Sequence, residues 1–184
     1  MHNGDAFYIG DLGLSILKTQ ADNFKNITGV MPYVAPELFN GSAYSQASDV
    51  YAFGIIMWEI SSNEKPFLDM VHDKELALRI FTGLRPTITD DTPQFYRNLM
   101  QQCWHSDPMQ RPSAKEIDEL IASWHENPTP EIKEQIRKVK IIRKHNMTTK
   151  KEAKTPHPGA IYTSRLIPNI SKGKQLSSIL YKVV

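Results

Sequence analysis

One cysteine, Cys103, stands in 184 residues. It has no partner for an internal disulfide, and no basic n-region leading into an apolar run opens the chain, so an intracellular and reducing setting is expected, cytoplasmic in the first instance with the nucleus open as well. Long apolar runs are missing as well. The stretch from Val50 to Trp58 is uncharged for only nine residues and is bracketed by Asp49 and Glu59, far short of the eighteen or more that a membrane span requires. Arginine is absent between Leu14 and Thr28, so a phosphate carried on that stretch would need a cationic receptor from elsewhere in the chain. No aromatic platform or reading motif accompanies the basic residues, and no nucleic-acid partner is expected.

What is present is an ordinary globular composition, 40% apolar and 23% charged, enough for one domain with a substantial core plus an appendage. The net charge of +2 hides an asymmetry. Residues 1–130 hold 9 Lys and Arg against 17 Asp and Glu, a net of −8, whereas residues 131–184 hold 13 against 3, a net of +10. The two parts are therefore read as separate units, 1–128 and 129–184. The cations of the second can fold back on the acidic part or reach an anionic partner, and a solvated extension is the plainest expectation.

The centre of the first unit is Ser48 to Ile60. With no charge between Val50 and Trp58, a helix here is apolar on every side and belongs in the middle of a core. Around it lie Asp11-Leu12-Gly13, Val34-Ala35-Pro36-Glu37, Ser48-Asp49-Val50-Tyr51-Ala52-Phe53-Gly54, and Cys103-Trp104 with Arg111-Pro112. Each motif is weak alone, but their order and spacing over about a hundred residues are specific. From Phe7 to about Trp124 the chain resembles the C-terminal lobe of a eukaryotic protein kinase of the Ser/Thr, tyrosine-kinase-like group. The resemblance implies a mainly α fold, a helical lobe around a buried central helix, without the β-rich N-terminal lobe.

It also implies roles. Asp11, at the end of the β-prone run Phe7-Tyr8-Ile9, matches the family's ligand for the Mg²⁺ that bridges ATP phosphates, with Gly13 turning the backbone beside it; from the residues alone Gly10-Asp11 is simply a turn. Asp11, Leu12 and Gly13 open an activation segment that runs through Thr28 to Ala35, Pro36 and Glu37. Thr28 is the favoured phosphate acceptor, ahead of Ser15 and Thr19. Val30, Pro32 and Tyr33 fall where the family cradles the substrate residue after the phosphoacceptor. Tyr33 points to Ser/Thr substrates, while Val30 departs from the usual Gly-Thr and puts ordinary catalytic efficiency in doubt. Glu37 matches the Glu that pairs with a distant Arg, here Arg111, in a partly buried bidentate contact fastening the activation segment to the helical base. Asp49 matches the residue that receives hydrogen bonds from the catalytic loop, although an Asp in a first helical turn is also favoured by the helix dipole alone. Trp58 is assigned a structural place in the central helix.

Further along, Ser45 or Ser48 is available to cap the central helix, and Asp73 to Thr82 reads as a helix with Leu76, Ile80 and Phe81 inward, ended by Gly83. Thr92-Pro93 reads as a cap and first helical position ahead of Phe95, Leu99 and Cys103 or Trp104. Ser113 to Glu116 forms a capping box for a stripe of Ile117, Leu120, Ile121 and Trp124. Thr129-Pro130-Glu131 starts a basic amphipathic helix with Ile132, Ile136 and Val139 beside Lys133, Arg137, Lys138 and Lys140. That helix suits the acidic lobe, a partner's groove or an anionic membrane surface. From Thr148 on, Lys, Thr, Pro, Gly and Ser dominate and little order is expected.

Phosphoryl transfer in this family needs a Gly-rich loop, a strand Lys, a catalytic-loop Asp and Asn, and the Mg²⁺-binding Asp. Only the last has a match in these residues. His2, Asn3 and Asp5 lie too close to Asp11 to be the catalytic loop and read as an exposed terminus. The expectation is a protein kinase domain that begins after its catalytic loop. ATP and Mg²⁺ belong to the complete domain, with neither held tightly by this chain alone. Its partner would be a protein substrate or another kinase. The other reading is a non-catalytic, pseudokinase-like module that binds a protein partner.

Overall fold

The computed structural model describes residues 27–148 and 154–170. Asp11, Leu12 and Gly13 lie outside these residues, as do Ser15, Thr19, His2, Asn3 and Asp5. In chain order the described elements are β1 (Thr28–Gly29), a 3-10 turn (Met31–Tyr33), α1 (Pro36–Phe39), α2 (Gln46–Ser62), α3 (Lys74–Phe81), α4 (Gln94–Cys103), a second 3-10 turn (Pro108–Gln110), α5 (Ala114–Glu126), α6 (Pro130–Thr148) and β2 (Arg165–Leu166).

The uncharged stretch forms α2, and the rest of the lobe packs around it. Ser45 is the cap: its hydroxyl accepts from the Ser48 amide while the Ser48 hydroxyl accepts from the Ser45 amide, so two of the helix's orphan donors are satisfied reciprocally. Asn63 ends the helix at φ 56°, a left-handed conformation that asparagine tolerates better than most residues. Val50, Tyr51, Gly54, Ile55, Met57 and Trp58 are buried. Burial is not complete around the helix, however. Ile56 and Ile60, one turn apart, are 43% and 68% exposed, so α2 keeps an open apolar edge. An all-apolar sequence says that a helix tolerates neighbours on every side; it does not say how many this lobe supplies.

The main neighbour is α4, and the closest approach is at Gly54. A Cβ there would sit 2.9 Å from the Cys103 Cβ and 3.0 Å from the Trp104 amide nitrogen. In an open helix Gly to Ala gains roughly 1 kcal/mol, but here the added methyl meets backbone that cannot swing away. Gly54→Ala is therefore expected to destabilise the fold, by about 1–2 kcal/mol after the helix gain is deducted. Urea unfolding checks the sign.

The other helices follow local chemistry with small departures. Asp73 caps α3 by accepting from the Glu75 and Leu76 amides, and Leu76, Ala77 and Ile80 are buried against α1, with Phe81 only partly so. Helix α4 begins one residue later than expected. Pro93 is its cap, and the Thr92 hydroxyl turns instead to that of Thr89 at 3.0 Å. Ser113 and Glu116 close the expected capping box of α5. The apolar stripe of α5 is narrower than expected. Ile117 is buried and Trp124 meets Phe95 edge to face at 4.8 Å, whereas Leu120 and Ile121 stay exposed.

Helix α6 lies back on the lobe. Ile132, Ile136 and Val139 are half-buried, the Gln135 side-chain Oε1 accepts from the Phe95 amide at 3.3 Å, and Arg143 donates to Asp91 at 3.1 Å and to the Ser61 carbonyl at 2.9 Å. The basic helix thus makes contacts with the chain's own lobe.

The expectation of little order after Thr148 fails for residues 154–170. This segment runs across the lobe, from Lys154 paired with Glu64 at 2.6 Å to Ile170, whose amide donates to the Phe39 carbonyl at 3.0 Å. Between them β2 pairs antiparallel with β1, Thr28 opposite Leu166 and Gly29 opposite Arg165. The polar composition concealed a few apolar anchors. Ile167 and Ile170 are buried, and two such side chains with the backbone bonds beside them offset the ordering of a short segment.

Candidate functional site

The site is built from the segment Ile27–Phe39. Prolines open both of its helical turns, Pro32 in the first and Pro36 in the second, where a missing amide hydrogen costs nothing. Met31, Pro32, Val34 and Ala35 are buried, which fixes the backbone between the two turns. Glu37 then sits in the first turn of α1, where the helix dipole favours a carboxylate.

Glu37 and Arg111, 74 residues apart, meet in the fork geometry. The two Arg111 terminal nitrogens donate to the two Glu37 oxygens at 2.7 and 2.8 Å. The guanidinium side chain is wholly buried and the carboxylate is 14% exposed. Its remaining donors are also used: Nη1 reaches the Ala47 carbonyl and Nε the His105 carbonyl, both at 2.8 Å. One cation thus ties α1 to the start of α2 and to the loop after α4. Burial of such a charge is tolerable only with this degree of satisfaction.

Beneath the pair lies Tyr51, fully buried in α2. Arg85 and Arg111 stand 5.0 and 5.2 Å from its ring centroid, both within cation–π range. Arg85 is itself held by the Trp104, Ile80 and Leu84 carbonyls. The Tyr51 hydroxyl meets no hydrogen-bond partner among the described residues. Burial pushes this phenol up to about 12, and the two nearby cations only partly oppose it.

Tyr33 is joined to the other end of α2. Its hydroxyl donates to Glu59, whose second oxygen takes Lys65 at 2.5 Å. Desolvation, and then the hydrogen bond to Glu59, push the Tyr33 phenol well above its ordinary range. The segment from Val30 to Glu37 is therefore tied at Tyr33 to the end of α2 and at Glu37, through Arg111, to its start. Val30 itself is extended and half-buried at the start of the first 3-10 turn. Trp58 is buried and donates its indole hydrogen to the Thr87 carbonyl at 2.8 Å.

Thr28 is exposed in β1, and its carbonyl accepts from the Tyr44 hydroxyl at 3.2 Å. Arg165 comes close in the chain, opposite Gly29, but strand alternation directs it to the other face of the ribbon, where it donates to the His72 carbonyl. Asp49 lies exposed in the first turn of α2. Desolvation pushes its carboxyl up, and no described residue donates to it. Among the described residues no three or more His, Cys, Asp or Glu side chains gather to hold a metal ion. Asp11 lies outside those residues, so no chemical step is assigned here to Mg²⁺ or ATP. No helix among the described residues is long and apolar enough to cross a membrane.

Several contributors escaped the sequence reading: Glu59 and Lys65 as the seat of Tyr33, Arg85 beside Tyr51, and His72 under the 154–170 segment. Glu59 carried a usable signal. A carboxylate at the end of a helix with an uncharged middle needs a donor, and Lys65 stands six residues on.

Comparison with known proteins gives the family. Residues 1–121 match the family described as protein tyrosine and serine/threonine kinase. The chain belongs to that family, and its described part is the helical C-terminal portion of a kinase fold without the β-rich lobe. A probable serine/threonine-protein kinase of Dictyostelium discoideum is 43% identical over 116 residues, covering 61% of this chain and 12% of that protein. The dual specificity protein kinase splA of the same organism is 38% identical over 110 residues, covering 59% of this chain and 5% of that protein. Among solved structures, the cryo-EM structure of the AtMLKL3 tetramer is similar at 26% identity and a TM-score of 0.47, over 65% of this chain and 25% of that one. The chain thus spans only a small part of the length of the curated relatives it matches.

Proposed function

We propose that this chain is the substrate-positioning and scaffolding part of a protein Ser/Thr kinase domain, and that these 184 residues alone do not transfer phosphate. The observation that supports it most is the double fastening of this segment, at Glu37 by Arg111 and at Tyr33 by Glu59. Such anchoring fits a backbone that must present a protein substrate in a fixed register, because positioning is most of what the protein contributes to phosphoryl transfer. The sequence offers no Gly-rich loop, strand Lys or catalytic-loop Asp to complete the chemistry. ATP and Mg²⁺ would act only where those groups are supplied, with Asp11 as the metal ligand this chain provides.

Purified residues 1–184 incubated with ATP, Mg²⁺ and Ser/Thr peptides should give no phosphate incorporation above the buffer. Incorporation that Asp11→Ala abolishes would contradict the proposal.

A second reading, a non-catalytic module that binds a protein partner, is favoured by the open edge of α2 at Ile56 and Ile60. Solvent-facing apolar groups beside a core helix are a natural contact for another polypeptide.

A further inference from the structure

We infer that residues 154–170 are a strap that acts in cis, occupying the edge on which an extended peptide would lie beside Val30–Tyr33, so that strap and peptide exclude one another. The inference rests on the assignment of Val30–Tyr33 as the substrate segment. Its own basis is the way the strap is held. β2 takes the hydrogen-bonding edge of β1, the two residues just before Val30, and the Ile167 amide extends the pairing by donating to the Ile27 carbonyl at 2.7 Å. This is strand addition, a recognised mode of peptide recognition in which main-chain bonds give affinity and alternate side chains give specificity.

The strap has two anchor points, one on each side of that pairing. At its far end Ile167 and Ile170 are buried, and the Ile170 amide reaches the Phe39 carbonyl. At its near end Tyr162 donates to the Pro66 carbonyl at 2.8 Å and stands edge to face against the buried His72, whose amide donates to the Gly159 carbonyl at 2.9 Å. Leu166, by contrast, is 62% exposed and adds no core. The middle is thus held by its backbone pairing with β1 and by Arg165, which donates to the His72 carbonyl. At the far end Ile167 and Ile170 join the buried core of the lobe, whereas the packing of α2 on α4 and of α1 on α3 is made without the strap.

The test uses the full chain, wild type and Ile167→Asp/Ile170→Asp, with a fluorescein-labelled synthetic peptide of residues 154–170 as probe. Thermal unfolding and tryptophan fluorescence report that the variant keeps its fold. The probe should bind the variant at least tenfold more tightly than wild type by fluorescence anisotropy. Equal binding to both, or none to a folded variant, would overturn the strap. Should the variant not fold, the Ile167 and Ile170 amides of the wild type decide: hydrogen exchange slowed at least a hundredfold relative to the unfolded chain is expected, and exchange at the unfolded rate overturns the inference. Unlabelled Ser/Thr-containing peptides should then displace the probe from the variant. If the probe binds as expected and no such peptide displaces it, the shared edge is refuted and with it the assignment of Val30–Tyr33. If the probe never distinguishes the two chains, it is the strap that fails.

Discussion

Arg111→Ala is expected to destabilise the lobe by about 3–5 kcal/mol, the usual cost of breaking a buried ion pair by removing one member. Three consequences add together. The Glu37 carboxylate, 14% exposed, loses its fork of donors, the carbonyls of Ala47 and His105 lose theirs, and Tyr51 loses the cation over its ring. An unfolding free energy of ordinary size, about 5–15 kcal/mol, leaves little margin against such a loss. The midpoint of thermal unfolding should fall on the order of 10 °C. An exposed pair such as Lys115 with Glu119, at 3.6 Å, provides the comparison. Replacing Lys115 by Ala should change stability by less than about 1 kcal/mol.

The second large effect is alkaline. Cys103 and Tyr51 are fully buried, and desolvation raises the thiol from 9.0 to about 12 and the phenol from 10.0 to about 12. Well below pH 9 both groups are neutral whether the chain is folded or not, so the stability they permit is fully present. Above it the unfolded chain ionises them while the folded chain holds their protons. The folded state therefore binds more protons, and stability falls as pH rises, from about pH 9 for Cys103 and about pH 10 for Tyr51, until each folded value near 12 is reached. The slope is about 1 kcal/mol per pH unit for each group while it operates. Urea midpoints measured from pH 8 to pH 11 check it. Tyr51→Phe should remove its share of the slope while costing little at pH 7, since the hydroxyl it deletes meets no partner among the described residues. A flat profile would mean that these side chains are not buried as described.

Much of this was legible from the chain. The uncharged run announced α2, and the serines at its start announced a cap, because both are set by chemistry within a few residues. The Glu37 and Arg111 pairing was legible in another way, through motif spacing shared with the kinase family, and no local property of either residue would have joined them. What stayed hidden was nonlocal and unmarked. Whether Ile56 and Ile60 are covered depends on which elements surround α2, and the sequence of α2 carries no such information. The strap was missed because the whole stretch from Thr148 on, where Lys, Thr, Pro, Gly and Ser dominate, was weighed together, whereas two buried isoleucines, a tyrosine and a few backbone bonds set its position. Composition averages over the residues that matter there. At the site, the bond of Tyr33 to Glu59 joins positions 26 residues apart, and neither residue's neighbours in the sequence signal it.

The account depends on α1 being held to the base of the lobe by a single buried ionic contact, and a double-mutant cycle measures that contact most directly. Glu37→Ala, Arg111→Ala and the double variant, compared with wild type by urea unfolding, should give a coupling energy of about 2–3 kcal/mol, at the upper end for residues in direct contact. Single-variant costs that simply add, with coupling below about 0.5 kcal/mol, would mean that the two residues act independently and would contradict the account.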